Sequence, residues 1–483
     1  MTRWFLGLSL LVIGGLGWRL ASATKATDRP SVERGRDAAK ATDRPSVERG
    51  RDAVKATDRP SVERGRDAVE AWKLSPGIWS LNAYDTVWKV WGLKEKPANF
   101  TQLFRERYGL HEAPYDNHGR PIGLSEAPGP FGNRLVQSCL LCHVGSVAGQ
   151  TIIGLGNSTL ELQALFEELF QADGISLPLP IPQMSYVRGT SDPVNQLISM
   201  LEYRDHDLNV QPRVVWSHTK DVCSDPSAWW LIKKKRTRDW TGGIDVRSTR
   251  MDMVNLLSPL NSADYIKRQE KVFADIEAFI RSIKAPKYPF AIDKTLAERG
   301  HGVYLKHCAN CHGTHGADGN YPNKIVSLKK IGTDPTMARA NNHPQLVEFL
   351  DKSWFGQEVG PDGKRIQIVW NEGYQAPPLD GIWATASYFH NSSVPTVYHV
   401  LNSEARPKIF TRTYRTGVED YDTVKLGWKI TELDKPAAAD LPGIEQRKIY
   451  DTTLPGRGNA GHRYGDNLTE KERMAVIEYL KTL

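Results

Sequence analysis

The chain has 483 residues, enough for two or three compact units rather than one. A hydrophobic share of 40% and a charged share of 25% are those of a globular protein and exclude a chain disordered throughout. The formal charge of +7 is concentrated near the N-terminus, in Arg3, Arg19 and a run of basic repeats, so the remainder has no footprint for nucleic acid.

Residues 1–23 read as an export leader. Arg3 opens it, Trp4 to Trp18 is an apolar run, and Ala21-Ser22-Ala23 fits a small-residue cleavage site. The run is shorter than the roughly 20 apolar residues of a membrane span. It is read as a signal peptide or, with the same topology, as an uncleaved N-terminal anchor. Either places the body outside the cytoplasm, periplasmic or secreted and, in the second case, held at the inner membrane.

Residues 24–69 hold three near-identical 15-residue units starting at Lys25, Lys40 and Lys55. Each has a Pro, a Gly and seven charges, with only Val and Ala as apolar residues. Such a unit buries too little apolar surface to offset its ordering entropy, which predicts a solvated tether. A recognition arm that docks a partner is the alternative.

From Glu70 the composition changes. Trp72, Trp79, Trp88 and Trp91 need a core or a flat cofactor to pack on. Leu160 to Phe170 keeps helical spacing behind an Asn157-Ser158 cap. Tyr265 to Ile283 repeats that spacing until Pro286 and Pro289 stop it, which places a domain boundary at 285–289. A helix led by Asp293 runs into Cys308, and the last helix opens with a Thr469-x-x-Glu472 capping box. Between Gly313 and Asp466 the sequence predicts long ordered loops with a few short strands. The expected fold is mainly α with long ordered loops, in two domains over 70–285 and 286–483. Gly300 is expected to let the final helix, through Tyr479 and Leu480, approach closely.

Two motifs carry the chemistry: Cys139-Leu-Leu-Cys142-His143 and Cys308-Ala-Asn-Cys311-His312. Cysteines at i and i+3 share one side of a helical turn and can form thioethers to the two vinyl groups of one haem. The adjacent His then lies under the iron as its axial ligand. The rival readings are a zinc site made from both pairs and redox dithiols. Neither explains a His after each pair, and export argues against free thiols. Two covalently bound haem c groups are therefore expected, one in each of two cytochrome c-like haem domains over 70–285 and 286–483. Cys223 is left over as an inert thiol.

The sixth ligand decides whether an iron is closed for electron transfer or open to a small molecule. For the second haem, His462 in Gly458-Asn-Ala-Gly461-His462 precedes the last helix, and His390 is the runner-up. For the first haem, Met184, Met200, His206 and His218 follow His143 without a telling context. Trp229-Trp230 and Trp240 either pack the core or, as Trp230 and Trp240, relay electrons between haems.

Two widely spaced C-x-x-C-H motifs with a His before the last helix resemble the bacterial di-haem cytochrome c peroxidases, which include the methylamine-dehydrogenase maturation enzymes. The chain is similar above all to the di-haem rubber oxygenase group. Gly381-Ile-Trp-Ala-Thr-Ala-Ser-Tyr-Phe-His390-Asn-Ser-Ser-Val-Pro-Thr resembles that group's GIWATAPYLHNGSVPT motif, and Gly458-Asn-Ala-Gly-His462 its distal-histidine segment. Arg107-Tyr-Gly-Leu110, Ala113-Pro-Tyr115 and Gly156-Asn157 fit the same group. Ser387 and Ser392 depart from its usual Pro and Gly. The resemblance, from about Glu70 to the C-terminus, implies a catalytic haem on His143 and a low-spin electron-transfer haem between His312 and His462. It also implies a calcium ion between the domains. The expected partners are a small redox protein and peroxide, dioxygen or an organic substrate. The alternative is a non-catalytic di-haem electron carrier.

Overall fold

Ser61 opens the first helix of the computed structural model, α1 (Val62–Ala71), by accepting the Arg64 amide at 3.3 Å. The structure describes residues 59–129, 132–175, 183–316, 318–360 and 362–483. The expected leader at 1–23 and the expected tether as far as residue 58 lie outside the described residues. The last part of that tether does not behave as one. Gly65 packs on the backbone of Asp275, whose carbonyl a Cβ would approach to 1.9 Å. The Arg64 fork grips the Asp275 carboxylate at 2.8 and 2.7 Å, Ser61 N donates to it at 2.6 Å, and Val69 is buried. The third repeat unit is thus folded from Pro60 onward, because Asp275 supplies a partner that composition does not reveal.

Three strands follow: β1 (Trp79–Ser80), β2 (Leu124–Gly129) and β3 (Gly132–Gln137), antiparallel in the order β1-β3-β2. β3 leads into α2 (Leu140–His143), a single turn that carries the first haem motif. The hairpin of β4 (Val144–Val147) and β5 (Gln150–Ile153) folds back on that turn, with Gly154 N donating to the His143 carbonyl at 2.8 Å. In α3 (Leu162–Ala172) the cap is Glu161, whose carboxylate accepts Ala164 N, and not the expected Asn157-Ser158. Asn157 instead gives its side-chain amide to the Gly109 and Leu141 carbonyls.

The helix expected over 265–283 is two, Ala263–Arg268 and α4 (Glu270–Ser282). The break has a local cause. Gln269 N bonds the Ile266 carbonyl three residues back, and its side-chain amide takes the Tyr265 carbonyl that a continuous helix would use. The stretch expected as a boundary lies within one compact unit, Pro60–Leu483. There Trp383 Nε1 donates to the Pro286 carbonyl at 2.9 Å.

Asp293 caps α5 (Lys294–His307), which runs into α6 (Ala309–His312), the second motif. β6 (Ile325–Ser327) pairs with β7 (Gly373–Gln375), and β8 (Ile409–Thr411) lies between β9 (Thr431–Glu432) and β10 (Ile449–Asp451). The chain closes with α7 (Glu470–Leu480), opened by the Thr469/Glu472 capping box. With 37% helix and 14% strand, the fold is mixed rather than mainly α. Strands of two to six residues are too short to leave a readable alternation in the sequence.

α5 and α7 cross at Gly300, where a Cβ would come within 1.8 Å of the Ala475 carbonyl. Tyr479 packs on Tyr304 at 5.1 Å and on His301 at 4.8 Å. Gly300→Val should therefore part the two helices, costing about 1–3 kcal/mol as overpacking does. Thermal unfolding reads this as a lower midpoint, and an unchanged midpoint would contradict the close crossing.

Candidate haem sites

The α5–α6 turn delivers Cys308, Cys311 and His312 to the wall of a 220 Å³ cavity. His312 Nδ1 donates to the Pro377 carbonyl at 2.8 Å. A carbonyl only accepts, so the proton sits on Nδ1 and Nε2 keeps its lone pair, the state of an imidazole that binds a metal. Burial lowers the His312 pKa, so the ring is neutral.

His462 faces it from the opposite wall. The two ring centroids are 6.2 Å apart. Two metal–imidazole bonds of about 2 Å each, plus half of each ring, span that separation. Burial holds His462 down to about 3. Its Nδ1 is buried with no hydrogen-bond partner in the protein. These residues would hold a covalently attached haem: two cysteines on one turn, two neutral imidazoles across a cavity, and Tyr388, Phe389 and Val476 around it.

Several groups aim His462. Its backbone is left-handed, φ +45°, which costs about 1–3 kcal/mol in a non-glycine residue and persists only where the surroundings impose it. Gly461 before it (φ +76°) lies against Gly332, where a Cβ would come within 2.3 Å of backbone. His462 N donates to the Ile331 carbonyl at 2.8 Å. Arg406 donates to the carbonyls of Asn459 (2.6 Å), Gly461 (2.7 Å) and His462 (3.2 Å), and also to those of His399 and Val400. Asn391 Nδ2 ties the Gly456 and Gly458 carbonyls, and Asp334 accepts Gly458 N. His390, the runner-up, lines the same cavity but lies flat on Tyr374, centroids 3.9 Å apart.

At the first motif, His143 Nδ1 donates to the Ser227 carbonyl at 3.2 Å, and the ring stacks on Trp229 at 4.8 Å. Burial lowers His143 to about 4 and pushes the Cys139 and Cys142 thiols up to about 12. This repeats the arrangement at His312, a neutral imidazole with Nδ1 on a backbone carbonyl. Cys139 and Cys142 pack against two cores and Cys308 against a third, and no third Cys or His joins either pair among the described residues, so the alternative of one shared zinc site is not assembled. Among the described residues, no three His, Cys, Asp or Glu side chains are grouped to hold a metal ion.

The four residues that followed His143 without context are engaged elsewhere. Met184 is buried in a core and Met200 packs against one; His206 packs on Phe349, and His218 contacts Glu202 at 3.2 Å. Cys223 is fully buried. The segment Asp225–Leu231 connects the two sites. Its Ser227 carbonyl holds His143, while Asp225, Ser227, Ala228 and Leu231 line the His312 cavity. Trp230 is buried and gives Nε1 to the Asp380 carbonyl at 2.8 Å. Trp240 lines the cavity and gives Nε1 to the Asp225 carbonyl at 2.8 Å. Sequence reasoning missed Ser227, Pro377, Asn391, Asp334 and Arg406. The first two act through their backbone and leave no sequence signal. Asn391 lay inside the quoted motif without an assigned role.

Residues 373–411 match the family described as RoxA-like, cytochrome c-like. This segment is cytochrome c-like. It supplies Pro377, His390, Asn391 and Arg406 to the surroundings of the His312–His462 pair. The chain is also similar to the uncharacterized protein y4iM of Sinorhizobium fredii (strain NBRC 101917 / NGR234), at 28% identity over 54% of this chain and 64% of that one. It is 30% identical to the uncharacterized protein y4iJ of the same organism, over 42% of this chain and 41% of that one. The chain thus spans less than two thirds of the length of these curated relatives. Among solved structures, a xenon-pressurized hydrazine synthase of Kuenenia stuttgartiensis is 13% identical over 64% of this chain and 94% of its own, with a TM-score of 0.25. A MauG-like protein associated with microbial copper homeostasis is 17% identical over 64% and 91%, with a TM-score of 0.29. Likeness at that level carries no argument about chemistry.

Proposed function

We propose that this chain is an exported, periplasmic di-haem c-type oxidoreductase that activates peroxide or dioxygen at the haem on His143. The haem between His312 and His462 serves it as the electron-transfer centre. One observation carries the reading: His312 and His462 face each other at 6.2 Å across a cavity that Cys308 and Cys311 also line. Covalent haem supplies the redox chemistry when bound.

The protein's own part is positioning. The Ser227 and Pro377 carbonyls hold the protons on Nδ1 of the two motif histidines and leave each Nε2 as the nitrogen that would bind iron. The Ile331 carbonyl and Arg406 hold the His462 loop, which favours a closed second site. The side chains considered as a strong trans ligand for His143 are engaged elsewhere, which favours an open first site. Trp229 stacks on His143 and Trp240 lines the His312 cavity, so each site has an indole beside it.

Haem content and low-temperature electron paramagnetic resonance test this. The expected result is two covalent haems per chain, with one high-spin and one low-spin ferric signal. Cyanide or carbon monoxide should bind one iron. Two low-spin ferric signals in the oxidised protein, a remaining ferric haem that is still low-spin after half-reduction, and no ligand binding at either iron would replace the enzyme reading with the non-catalytic electron carrier.

A further inference from the structure

The turn between the two sites has a second face. Trp229, Trp230 and Leu231 point inward and are buried. After Ile232 come four consecutive cations, Lys233-Lys234-Lys235-Arg236. Lys233 and Arg236 are exposed. Lys235 is half-buried and reaches the cavity wall.

Further cations join this turn. Lys233 Nζ rests on the Ile283 carbonyl at 3.3 Å, next to exposed Lys284. Arg236 donates to the Pro322 carbonyl at 2.7 Å, and its amide donates to Asn323 Oδ1 at 2.9 Å, next to Lys324. Two carboxylates answer the patch: Asp380 pairs with Lys234 at 2.6 Å, and Asp239 acts on Lys235. Among the described residues Lys233, Arg236, Lys284 and Lys324 make no ion pair. This local excess stands out because the body of the chain is close to neutral.

We infer that the surface around Lys233, Arg236 and Lys284 docks an acidic electron-transfer protein. The inference rests on the di-haem reading and adds the chemistry of the partner and its place of contact. The placement is its main support. Residues 225–236 carry the Ser227 carbonyl on His143, part of the wall of the His312 cavity and the outward cations Lys233 and Arg236. A partner seated there touches the segment that serves both sites. Complementary charge steers such encounters and makes them sensitive to salt. An anionic membrane would also be attracted to cations, but these cations form a compact patch on a redox wall with no exposed apolar side chain between them to insert.

The probe is an oxidised plant-type ferredoxin, a small acidic iron–sulfur protein, titrated calorimetrically against the haem-loaded full chain. Binding should weaken about tenfold or more between low salt and 0.15 M, where the Debye length is about 8 Å. Lys233→Glu with Lys284→Glu should weaken binding at low salt about tenfold, whereas Lys94→Glu with Lys220→Glu, also exposed, should leave it within twofold. With reduced ferredoxin in stopped flow, each encounter oxidises one donor cluster and reduces one ferric haem to ferrous. That rate should fall in parallel, while reduction by a neutral quinol stays unchanged. Equal affinity for the two double variants would overturn the docking surface, as would binding of anionic phospholipid vesicles in place of ferredoxin. A purified chain without covalent haem would instead overturn the reading beneath it, and a haem assay on the same sample separates the two.

Discussion

His462→Ala should convert the low-spin ferric signal of the second haem entirely to high-spin, leaving the haem attached through Cys308 and Cys311. The ring that would be lost faces His312 at 6.2 Å, and His390 lies flat on Tyr374 instead. The Ile331 and Arg406 contacts of this loop are made by its backbone, so the alanine variant keeps them. The empty position should then take up added imidazole, restoring the low-spin spectrum, and should bind cyanide at an iron that previously refused it. Electron delivery to the first haem should fall at least tenfold, because changing an axial ligand moves the potential. A low-spin signal that survives the substitution would pass the role to another residue, with His390 first in line.

Arg406→Met should damage the same centre without touching its ligand. The guanidinium donates to five backbone carbonyls, three of them in the loop that ends at His462, and lies over the Phe389 ring at 5.0 Å. Burial lowers its pKa only to about 10, so it is charged at neutral pH. A charged hydrogen bond is worth about 1.5–3 kcal/mol, and the orphaned carbonyls add desolvation costs, so the variant should lose about 3 kcal/mol or more. Its spectrum should be a temperature-dependent mixture of low-spin and high-spin forms, unlike the single high-spin form of His462→Ala. Arg406→Lys should not restore the wild-type spectrum, because an ammonium cannot reproduce the planar fork. A fully low-spin Arg406→Met protein would show that Ile331, Asn391 and Asp334 suffice to hold the loop.

Both predictions concern residues that differ in how visible they are in a sequence. His462 stood out by residue type and by its place before the last helix. Arg406 did not, since an arginine in a loop is ordinarily solvated and nothing nearby announces five carbonyls. Gly300 was legible because its neighbours already read as a helix leading to a haem motif, and the fold places it against Ala475. The helix break at Gln269 was not legible. A side-chain amide replacing a backbone donor leaves the apolar spacing of 265–283 intact. The third repeat unit was misread as far as residue 69 for a similar reason. Its composition is that of a solvated segment, and its anchor, Asp275, lies more than 200 residues away.

By itself the sequence determined where the two C-x-x-C-H motifs lie, the histidine that precedes the last helix, and the capping of that helix. These are local matters: residue type and spacing within one or two turns settle them. The tertiary structure alone decided that Ser227 and Pro377 orient the two motif histidines, that Asp225–Leu231 serves both sites, and that Arg406 holds the distal loop. Those roles fall to backbone carbonyls and to partners distant in the chain. A carbonyl is the same in every residue, so only its position in space distinguishes it.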